Sequence, residues 1–320
     1  MTKKTIKKKE KIVFMGTPIF AEIILKKLIA TKWKPELVIT APDKPMGRKQ
    51  IITPPPVKIL SKKEKIPIIQ PVEIIEAQSQ LNYLSPDSII VSAYGKILPK
   101  AILDIPRLGC INIHPSLLPK YRGPSPIQTT ILNGDKESGV TIILMNQAMD
   151  EGPIIAQKKI TLKGNETKQT LNEKLAKLGG SLLIKTLPLY FKNKIIPYPQ
   201  PNIDVSYTRL ITKKDGLIYW HKKAEEIERQ IRAFNDWPGA YTFLKIKDKK
   251  INIKILESEI MPCQNNYQYG TCFYNDRKEW AVQTGKDCLI IKKIQPAGKK
   301  LMDAKDFLNG HPDVIGKIFS

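Results

Sequence analysis

The chain has 320 residues, which exceeds the usual size of a single domain, so the sequence predicts two domains. Its 42% hydrophobic and 26% charged residues are ordinary for a globular protein and exclude disorder along most of its length. The 53 Lys and Arg against 30 Asp and Glu leave a net charge of +23, which indicates a polyanionic partner, although a Lys-rich composition explains the same excess.

The cysteine, histidine and hydropathy patterns argue against metal sites, disulfide frameworks and membrane segments. The four cysteines contain no C-x-x-C pair and the three histidines form no cluster of zinc spacing, so we expect neither a metal site nor a disulfide framework. A basic tail, residues 1–10, precedes an apolar run at 12–15 that is too short for a signal sequence. Since no stretch of about 18 apolar residues occurs, we expect a cytoplasmic protein without a membrane segment.

The first part of the chain, residues 11–196, alternates between strand-like and helix-like segments. The strand-like runs are KIVFM (11–15), ELVIT (36–40), IPIIQ (66–70), DSIIVSA (87–93) and GCINIH (109–114). Continuous apolar strands separated by amphipathic helices predict an α/β fold with a Rossmann-like, doubly wound and mostly parallel sheet. The runs GVTIILM (139–145) and GPIIAQKKI (152–160) extend this sheet, and a long helix within 166–191 closes the domain.

A proline-rich linker, residues 197–208, separates this domain from a second one at 209–320. Pro197, Pro199 and Pro201 lack a backbone N–H, so the linker is expected to form neither a helix nor a strand of a sheet. Beyond it, one helix is followed by short apolar runs at intervals of about ten residues, the pattern of a small antiparallel barrel. Within this domain we expect Trp237 and Pro238 to be core and turn residues.

The most informative strand ends in two polar residues. Because the side-chain period of a strand is two, Asn112 and His114 share one face and Ile111 and Ile113 the other. Ligands of open parallel sheets bind beyond the carboxyl ends of the strands. There an amide could stabilise an oxyanion, with help from a protonated imidazole that also exchanges a proton near neutral pH. The alternative is two satisfied polar residues that cap a strand.

Asp150 follows the run 139–145, and we therefore expect it at a strand end as well. A carboxylate there could orient His114, stabilise its imidazolium form, or hold a water that carries the proton. The alternative is a turn residue before a glycine. Together the three residues predict acyl transfer.

These residues lie in segments that resemble a known family. NIHPSLLPKYRG (112–123), with Asp150 in a D-x-G-P setting, is similar to the 10-formyltetrahydrofolate-dependent formyltransferases. Further similar segments are VFMGTPIFA (13–21), APDKPMGRKQIITPPPVK (41–58), VSAYGKILP (91–99), RAFNDWPGAY (232–241) and QPAGKK (295–300). The resemblance covers residues 11–309. It implies that Asn112, His114 and Asp150 carry the transfer, and that the second domain is an OB-like barrel that binds tRNA.

The resemblance also implies a formyl donor and the residues that bind it. The donor is 10-formyltetrahydrofolate, which acts as a co-substrate, and no metal is required. The residues that this implies for the reduced folate are Ser116, Leu117, Leu118, Pro119, Tyr94 and Gly95. Tyr94 could equally be a packing residue.

A long, proline-stiffened basic loop follows the second strand-like run. Connections in α/β domains usually have two to six residues, so a loop of this length suggests a function. The resemblance implies that Arg48, Lys44 and Lys49 in this loop contact the acceptor end of an initiator tRNA charged with methionine. The alternative is a solvated loop that proline keeps stiff.

Two rival functions remain open at this point. The first is another transferase that uses the same donor, such as a sugar-nucleotide or a glycinamide-ribonucleotide formyltransferase. The second is a non-catalytic RNA-binding protein built on a degenerate enzyme, which an intact Asn112, His114 and Asp150 disfavours. We expect the protein to be a monomer.

Overall fold

The computed structural model describes residues 10–47, 49–246, 249–263 and 266–320. Its contacts divide the chain into two compact units. The first unit contains the described residues up to Pro126, together with 137–161 and 172–208. The second unit contains 127–136, 162–171 and 209–320.

The first unit is built on one sheet and one separate hairpin. Its strands are β1 (Ile12–Gly16), β2 (Leu37–Ile39), β3 (Lys44–Met46), β4 (Ile51–Thr53), β5 (Ile68–Ile69), β6 (Ser88–Ser92), β7 (Cys110–His114), β8 (Glu137–Leu144) and β9 (Ile154–Thr161). Seven of them form a sheet in the order β5-β2-β1-β6-β7-β8-β9. The first five in this order run parallel, which confirms the predicted doubly wound arrangement.

The last two strands of this sheet run antiparallel to their neighbours. In the β7–β8 pair, Ile111 lies opposite Leu144 and His114 opposite Thr141. The carboxyl end of β8 therefore lies beside the beginning of β7, not beside its end.

Apolar runs explain why these strands are central. Every residue of β1 and of β6 is buried, as expected for parallel strands covered on both faces. The α-helices before residue 209 are α1 (Ile19–Ile29), α2 (Pro56–Lys63), α3 (Gln78–Leu84), α4 (Lys100–Leu103), α5 (Pro126–Leu132) and α6 (Lys168–Tyr190). In α1, Phe20, Ile24 and Leu28 are buried at a spacing of four residues, which is one apolar face.

The long basic loop contains regular structure that the sequence did not predict. Strands β3 and β4 form an antiparallel hairpin of their own, in which Lys44 pairs with Thr53 and Met46 with Ile51. Every residue of β3 is exposed, and of β4 only Thr53 is half-buried. This segment therefore adds a projecting element to the unit and contributes little to its core.

The second unit is an antiparallel barrel. Its elements are α7 (Ala224–Ala233), β10 (Ala240–Ile246), β11 (Lys249–Met261), β12 (Cys272–Tyr274), β13 (Trp280–Gln283), β14 (Cys288–Pro296), β15 (Met302–Asp303) and α8 (Ala304–Gly310). The strand order is β10-β11-β14-β13-β12, with β15 on β14. The end of the chain joins the two edges, because Ser320 exchanges backbone hydrogen bonds with Phe243, and Phe319 and Lys317 bond to Gly270 and Cys272.

Aromatic rings fill the interior of this barrel. Trp280 stacks on Phe307 and on Phe319, with centroid distances of 5.7 Å in both cases. Trp220 also stacks on Phe319, with a centroid distance of 5.2 Å. The expectation that Trp237 belongs to the core is wrong, because its side chain is 54% exposed and only the following proline is buried.

The structure contains one disulfide, although the sequence predicted no disulfide framework. Cys263 and Cys288 are disulfide-bonded, with their Cα atoms 5.8 Å apart. The pair is 25 residues apart in sequence and has no motif, but Met261 lies opposite Cys288 in the β11–β14 ladder, which places Cys263 nearby.

No helix among the described residues is long and apolar enough to cross a membrane.

Candidate active site

The strand β7 presents Asn112 and His114 on one face, as its alternation predicts. Ile111 and Ile113 on the opposite face are each 1% exposed and belong to the core. Asn112 is half-buried and lies beside Val91 of β6, so its amide stands at the carboxyl end of two parallel strands. His114 is the last residue of β7 and is 4% exposed.

Both ring nitrogens of His114 face protein groups. Nε2 lies 2.9 Å from the carbonyl oxygen of Tyr121, and Nδ1 lies 3.5 Å from Oδ2 of Asp150. A carbonyl oxygen can only accept a hydrogen bond, so Nε2 carries a proton. Nδ1 then faces the carboxylate of Asp150.

Two hydrogen-bond donors hold the carboxylate of Asp150. The backbone N–H of Gly123 donates to Oδ2 at 2.8 Å, and Nδ2 of Asn112 donates to Oδ1 at 3.2 Å. The side chain is 15% exposed, so substrate can reach the carboxylate. The structure thus brings together the three residues that the sequence singles out.

Asp150 reaches this position by a different route from the one the sequence suggests. Because β8 runs antiparallel to β7, the end of β8 lies away from His114. The loop after β8 brings Asp150 back to Asn112 and His114. Asp150 has a φ of 56°, in the left-handed region that Asp tolerates better than most residues. The local backbone of this loop, not a strand end, aims the carboxylate.

The segment Ser116–Pro119 follows β7 directly and is anchored from β8. Thr141, which is fully buried, donates its hydroxyl to the carbonyl oxygen of Ser116 at 2.7 Å and accepts the N–H of Leu118 at 3.0 Å. Gln157 donates to the same hydroxyl at 2.8 Å and to the carbonyl oxygen of Leu118 at 3.0 Å. Ser116 and Leu118 are buried, Leu117 is half-buried, and the Leu118–Pro119 peptide bond is cis.

Tyr94 and Gly95 follow β6, the parallel neighbour of β7. Tyr94 is 4% exposed, and its hydroxyl is buried without a hydrogen-bond partner among the described residues. Burial raises the pKa of Tyr94 to about 12, and the charges of Glu73 and Glu76 add to this shift. Gly95 is exposed and has a φ of 82°, which glycine adopts without strain.

Two of the predicted tRNA-binding residues lie in the β3–β4 hairpin: Lys44 is the first residue of β3, and Lys49 lies in the turn before β4. Lys44 and Lys49 are exposed there, and Arg48 is the residue that the structure does not describe. Beside the hairpin, Lys58 forms an ion pair of 2.7 Å with Asp43. The positive charge of Lys58 is therefore partly neutralised by Asp43.

Sequence reasoning missed the groups that hold the site together. The carbonyl oxygen of Tyr121 and the N–H of Gly123 act through the backbone, which leaves no side-chain signal. Gly123 has a φ of 102°, and a Cβ atom there would lie 2.7 Å from the carbonyl oxygen of Thr208, so a glycine is required. Such a glycine directly after Arg122 is the one clue that the sequence offers.

Comparisons with known proteins identify the family of the chain. The formyl transferase family model matches residues 10–187, and the model of the formyl transferase C-terminal domain matches residues 210–312. Among solved structures, a similar fold occurs in WlaRD, a sugar 3N-formyl transferase studied in the presence of dTDP and 5-N-formyl-THF. The TM-score is 0.63 with 23% sequence identity, over 92% of this chain and all of that one.

Curated relatives are much closer in sequence. A methionyl-tRNA formyltransferase of Desulfotalea psychrophila is 41% identical over 302 residues, which cover 94% of this chain and 92% of the relative. One of Caldicellulosiruptor saccharolyticus is 42% identical over 317 residues, covering 97% and 99%. Two matching family models and relatives of this similarity lead to one conclusion: the chain belongs to the formyl transferase family and is a formyl-transferring enzyme.

Proposed function

We propose that the enzyme transfers the formyl group of 10-formyltetrahydrofolate to the α-amino group of methionyl-tRNA, and so supplies N-formylmethionyl-tRNA for translation initiation in the cytoplasm. The observation that carries this proposal is the carboxylate of Asp150, held at 2.8 Å by the N–H of Gly123 and within reach of Asn112 and His114. The relatives described above are named for this activity, and they align with this chain over nearly their full lengths.

Asn112 is assigned to the oxyanion. Attack of the neutral methionine amine on the formyl carbon forms a C–N bond and places negative charge on the formyl oxygen. The amide of Asn112 has two N–H groups, of which one points to Asp150. The second can donate to the oxygen, where a fixed donor stabilises the developing charge.

Asp150 and His114 are assigned to the proton. The attacking amine must lose a proton, and the partly exposed carboxylate of Asp150 is the group that can receive it. Nδ1 of His114 lies 3.5 Å from Oδ2 of this carboxylate, and we assign His114 to support the proton transfer through Asp150. When the tetrahedral intermediate collapses, the C=O bond re-forms, the C–N bond to N10 of the folate breaks, and N10 takes up the proton that Asp150 received.

The two substrates are assigned to different surfaces of the first unit. Ser116–Pro119, Tyr94 and Gly95 follow neighbouring parallel strands, at the sheet edge where ligands of such folds bind, and we assign the folate to them. The exposed Lys44 and Lys49 are assigned, with Arg48, to the phosphates of the tRNA.

The direct test is transfer of radiolabelled formyl from 10-formyltetrahydrofolate to charged initiator tRNA. We expect a labelled, acid-precipitable product with methionyl-tRNA and none with uncharged tRNA, which lacks the amine. Amino-sugar nucleotides and glycinamide ribonucleotide serve as competing acceptors in the same assay. Transfer to one of these, and not to methionyl-tRNA, would contradict the proposed acceptor.

A further inference from the structure

The side chain of Gln200 connects the two loops that carry the active site. It comes from the proline-rich segment, between Pro199 and Pro201. Its Nε2 atom donates to the carbonyl oxygen of Asp150 at 2.6 Å and to that of Gly152 at 2.9 Å. Its Oε1 atom accepts from Nη2 of Arg122 at 2.9 Å and from Nε of the same guanidinium at 3.2 Å.

This arrangement uses the whole hydrogen-bonding capacity of the amide. Both N–H groups meet carbonyl oxygens, which can only accept, and the oxygen meets a guanidinium, which can only donate. The orientation of the amide is therefore fixed by its partners. No other side chain of similar size offers two donors and a twofold acceptor in this geometry.

The two loops joined in this way are those that aim the reacting groups. On one side, Tyr121 and Gly123 flank Arg122 and supply the acceptor for His114 and the N–H for Asp150. On the other side, Gln200 donates to the carbonyl oxygen of Asp150 itself. The backbone of Asp150 has a φ of 56°, which is uncommon for a residue other than glycine.

Neighbouring residues of the same segment strengthen the connection. Ser206 accepts the N–H of Tyr121 at 3.0 Å, and the hydroxyl of Tyr207 accepts from Nη1 of Arg122 at 2.9 Å. Arg122 is only 7% exposed and also forms an ion pair of 3.0 Å with Glu151. The segment 200–207 thus takes part in the architecture of the catalytic loops and is more than a spacer.

We propose that Gln200 is a positioning residue for formyl transfer, which sets the place of the Asp150 carboxylate relative to Asn112 and His114. The inference rests on the proposed function. It requires that loss of the two N–H donors lowers turnover, because a displaced carboxylate receives the proton of the amine less readily, while the surfaces assigned to the substrates stay intact.

Gln200→Glu tests the inference with little change in volume. The carboxylate keeps the acceptor oxygens for Arg122 but turns an oxygen toward the two carbonyl oxygens. We expect kcat for formyl transfer to fall on the order of tenfold or more, and KM for folate and for tRNA to change less than about twofold. If the variant does not fold, Gln200→Met, which is uncharged and of similar volume, is measured in its place.

Gln230 provides a matched control. It lies in the second unit, is 8% exposed, and likewise donates its Nε2 to two backbone carbonyl oxygens, those of Asp215 at 2.8 Å and Leu217 at 2.9 Å. Gln230→Glu makes the same chemical change at acceptors, Asp215 and Leu217, that do not belong to the catalytic loops. We expect it to lower the melting temperature and to leave kcat within about twofold.

A double-mutant cycle with Asp150→Asn separates positioning from general stability. If Gln200 acts through Asp150, adding Gln200→Glu to Asp150→Asn should lower kcat by less than about twofold. An undiminished loss in that background, or a kcat for Gln200→Glu no lower than for Gln230→Glu, would overturn the inference. If the wild type does not formylate methionyl-tRNA, the proposed function alone fails, and the same comparison is made with the amine acceptor that the wild type uses.

Discussion

Two regions of the first unit use their side chains in opposite ways. Around the end of β7, polar groups are buried and have fixed partners: His114 faces Tyr121 and Asp150, and Thr141 bonds to two backbone groups and to Gln157. In the β3–β4 hairpin, large side chains are exposed. Met46, Ile51 and Ile52 are 59%, 62% and 61% exposed.

The difference follows from what each region is assigned to do. A group that stabilises a transition state must be in place before the reaction, so its orientation is fixed by neighbours in a site of low dielectric constant. A surface for a large polyanion needs accessible charges instead, since its attraction is long-ranged and depends little on exact geometry. The active site should therefore respond sharply to small substitutions, and the hairpin should respond weakly and in a salt-dependent manner.

The largest effect is expected for Asp150→Asn. The substitution keeps the shape of the side chain but removes the proton acceptor and the negative charge in front of His114. We expect the transfer rate to fall on the order of a hundredfold or more, with folate affinity little changed. Single-turnover transfer and equilibrium folate binding measure the two quantities. A variant that transfers formyl at nearly the wild-type rate would reduce Asp150 to a turn residue.

Asn112→Ala should have the next largest effect. It removes the donor assigned to the oxyanion and also the hydrogen bond to Oδ1 of Asp150. We expect kcat to fall on the order of a hundredfold while KM for folate stays nearly constant, because the lost interaction strengthens in the transition state. Steady-state kinetics at varied folate distinguish the two parameters. A rise in KM at unchanged kcat would assign Asn112 to ground-state binding.

A pair of threonine substitutions compares the two regions by stability. Thr141→Val leaves the buried N–H of Leu118 without its acceptor, which should lower the free energy of unfolding by about 1–3 kcal/mol. Thr53→Val in β4 removes only an exposed hydrogen bond to the carbonyl oxygen of Ile51 and should change it by less than about 0.5 kcal/mol. Urea titrations measure both, and equal losses would contradict the contrast.

The sequence predicts this site well where side chains alternate and less well where the backbone acts. The alternation of β7 correctly placed Asn112 and His114 on one face, and the continuous apolar runs between helices predicted the parallel part of the sheet. The approach of Asp150 could not be derived, since it depends on an antiparallel β8 and on a loop with a left-handed residue.

Partners that are distant in the chain were also beyond prediction. Gln200 and Asp150 are 50 residues apart, and Cys263 and Cys288 are 25 apart. Their pairing depends on how loops and ladders fold back, for which composition and periodicity carry no signal. The hairpin was missed because it lies in a proline-rich stretch, and proline normally argues against strands.

The smallest effect is expected in the hairpin itself, where charge can be tested apart from structure. Replacing both Lys44 and Lys49 with Ala removes two exposed charges that have no role in the core. Each phosphate contact contributes about one unit to the slope of log K against log salt, so we expect the slope for tRNA to decrease by about one to two units. Folate affinity should stay constant across the same salt series.

Lys58→Ala is the matched control for this measurement. Lys58 lies near the same loop, but its ammonium is already paired with Asp43 at 2.7 Å. Because the ammonium of Lys58 already binds a carboxylate instead of a phosphate, we expect a smaller change in slope than for the double variant. Equal slopes for wild type, control and double variant would mean that these lysines are a solvated surface, and that the tRNA is bound elsewhere.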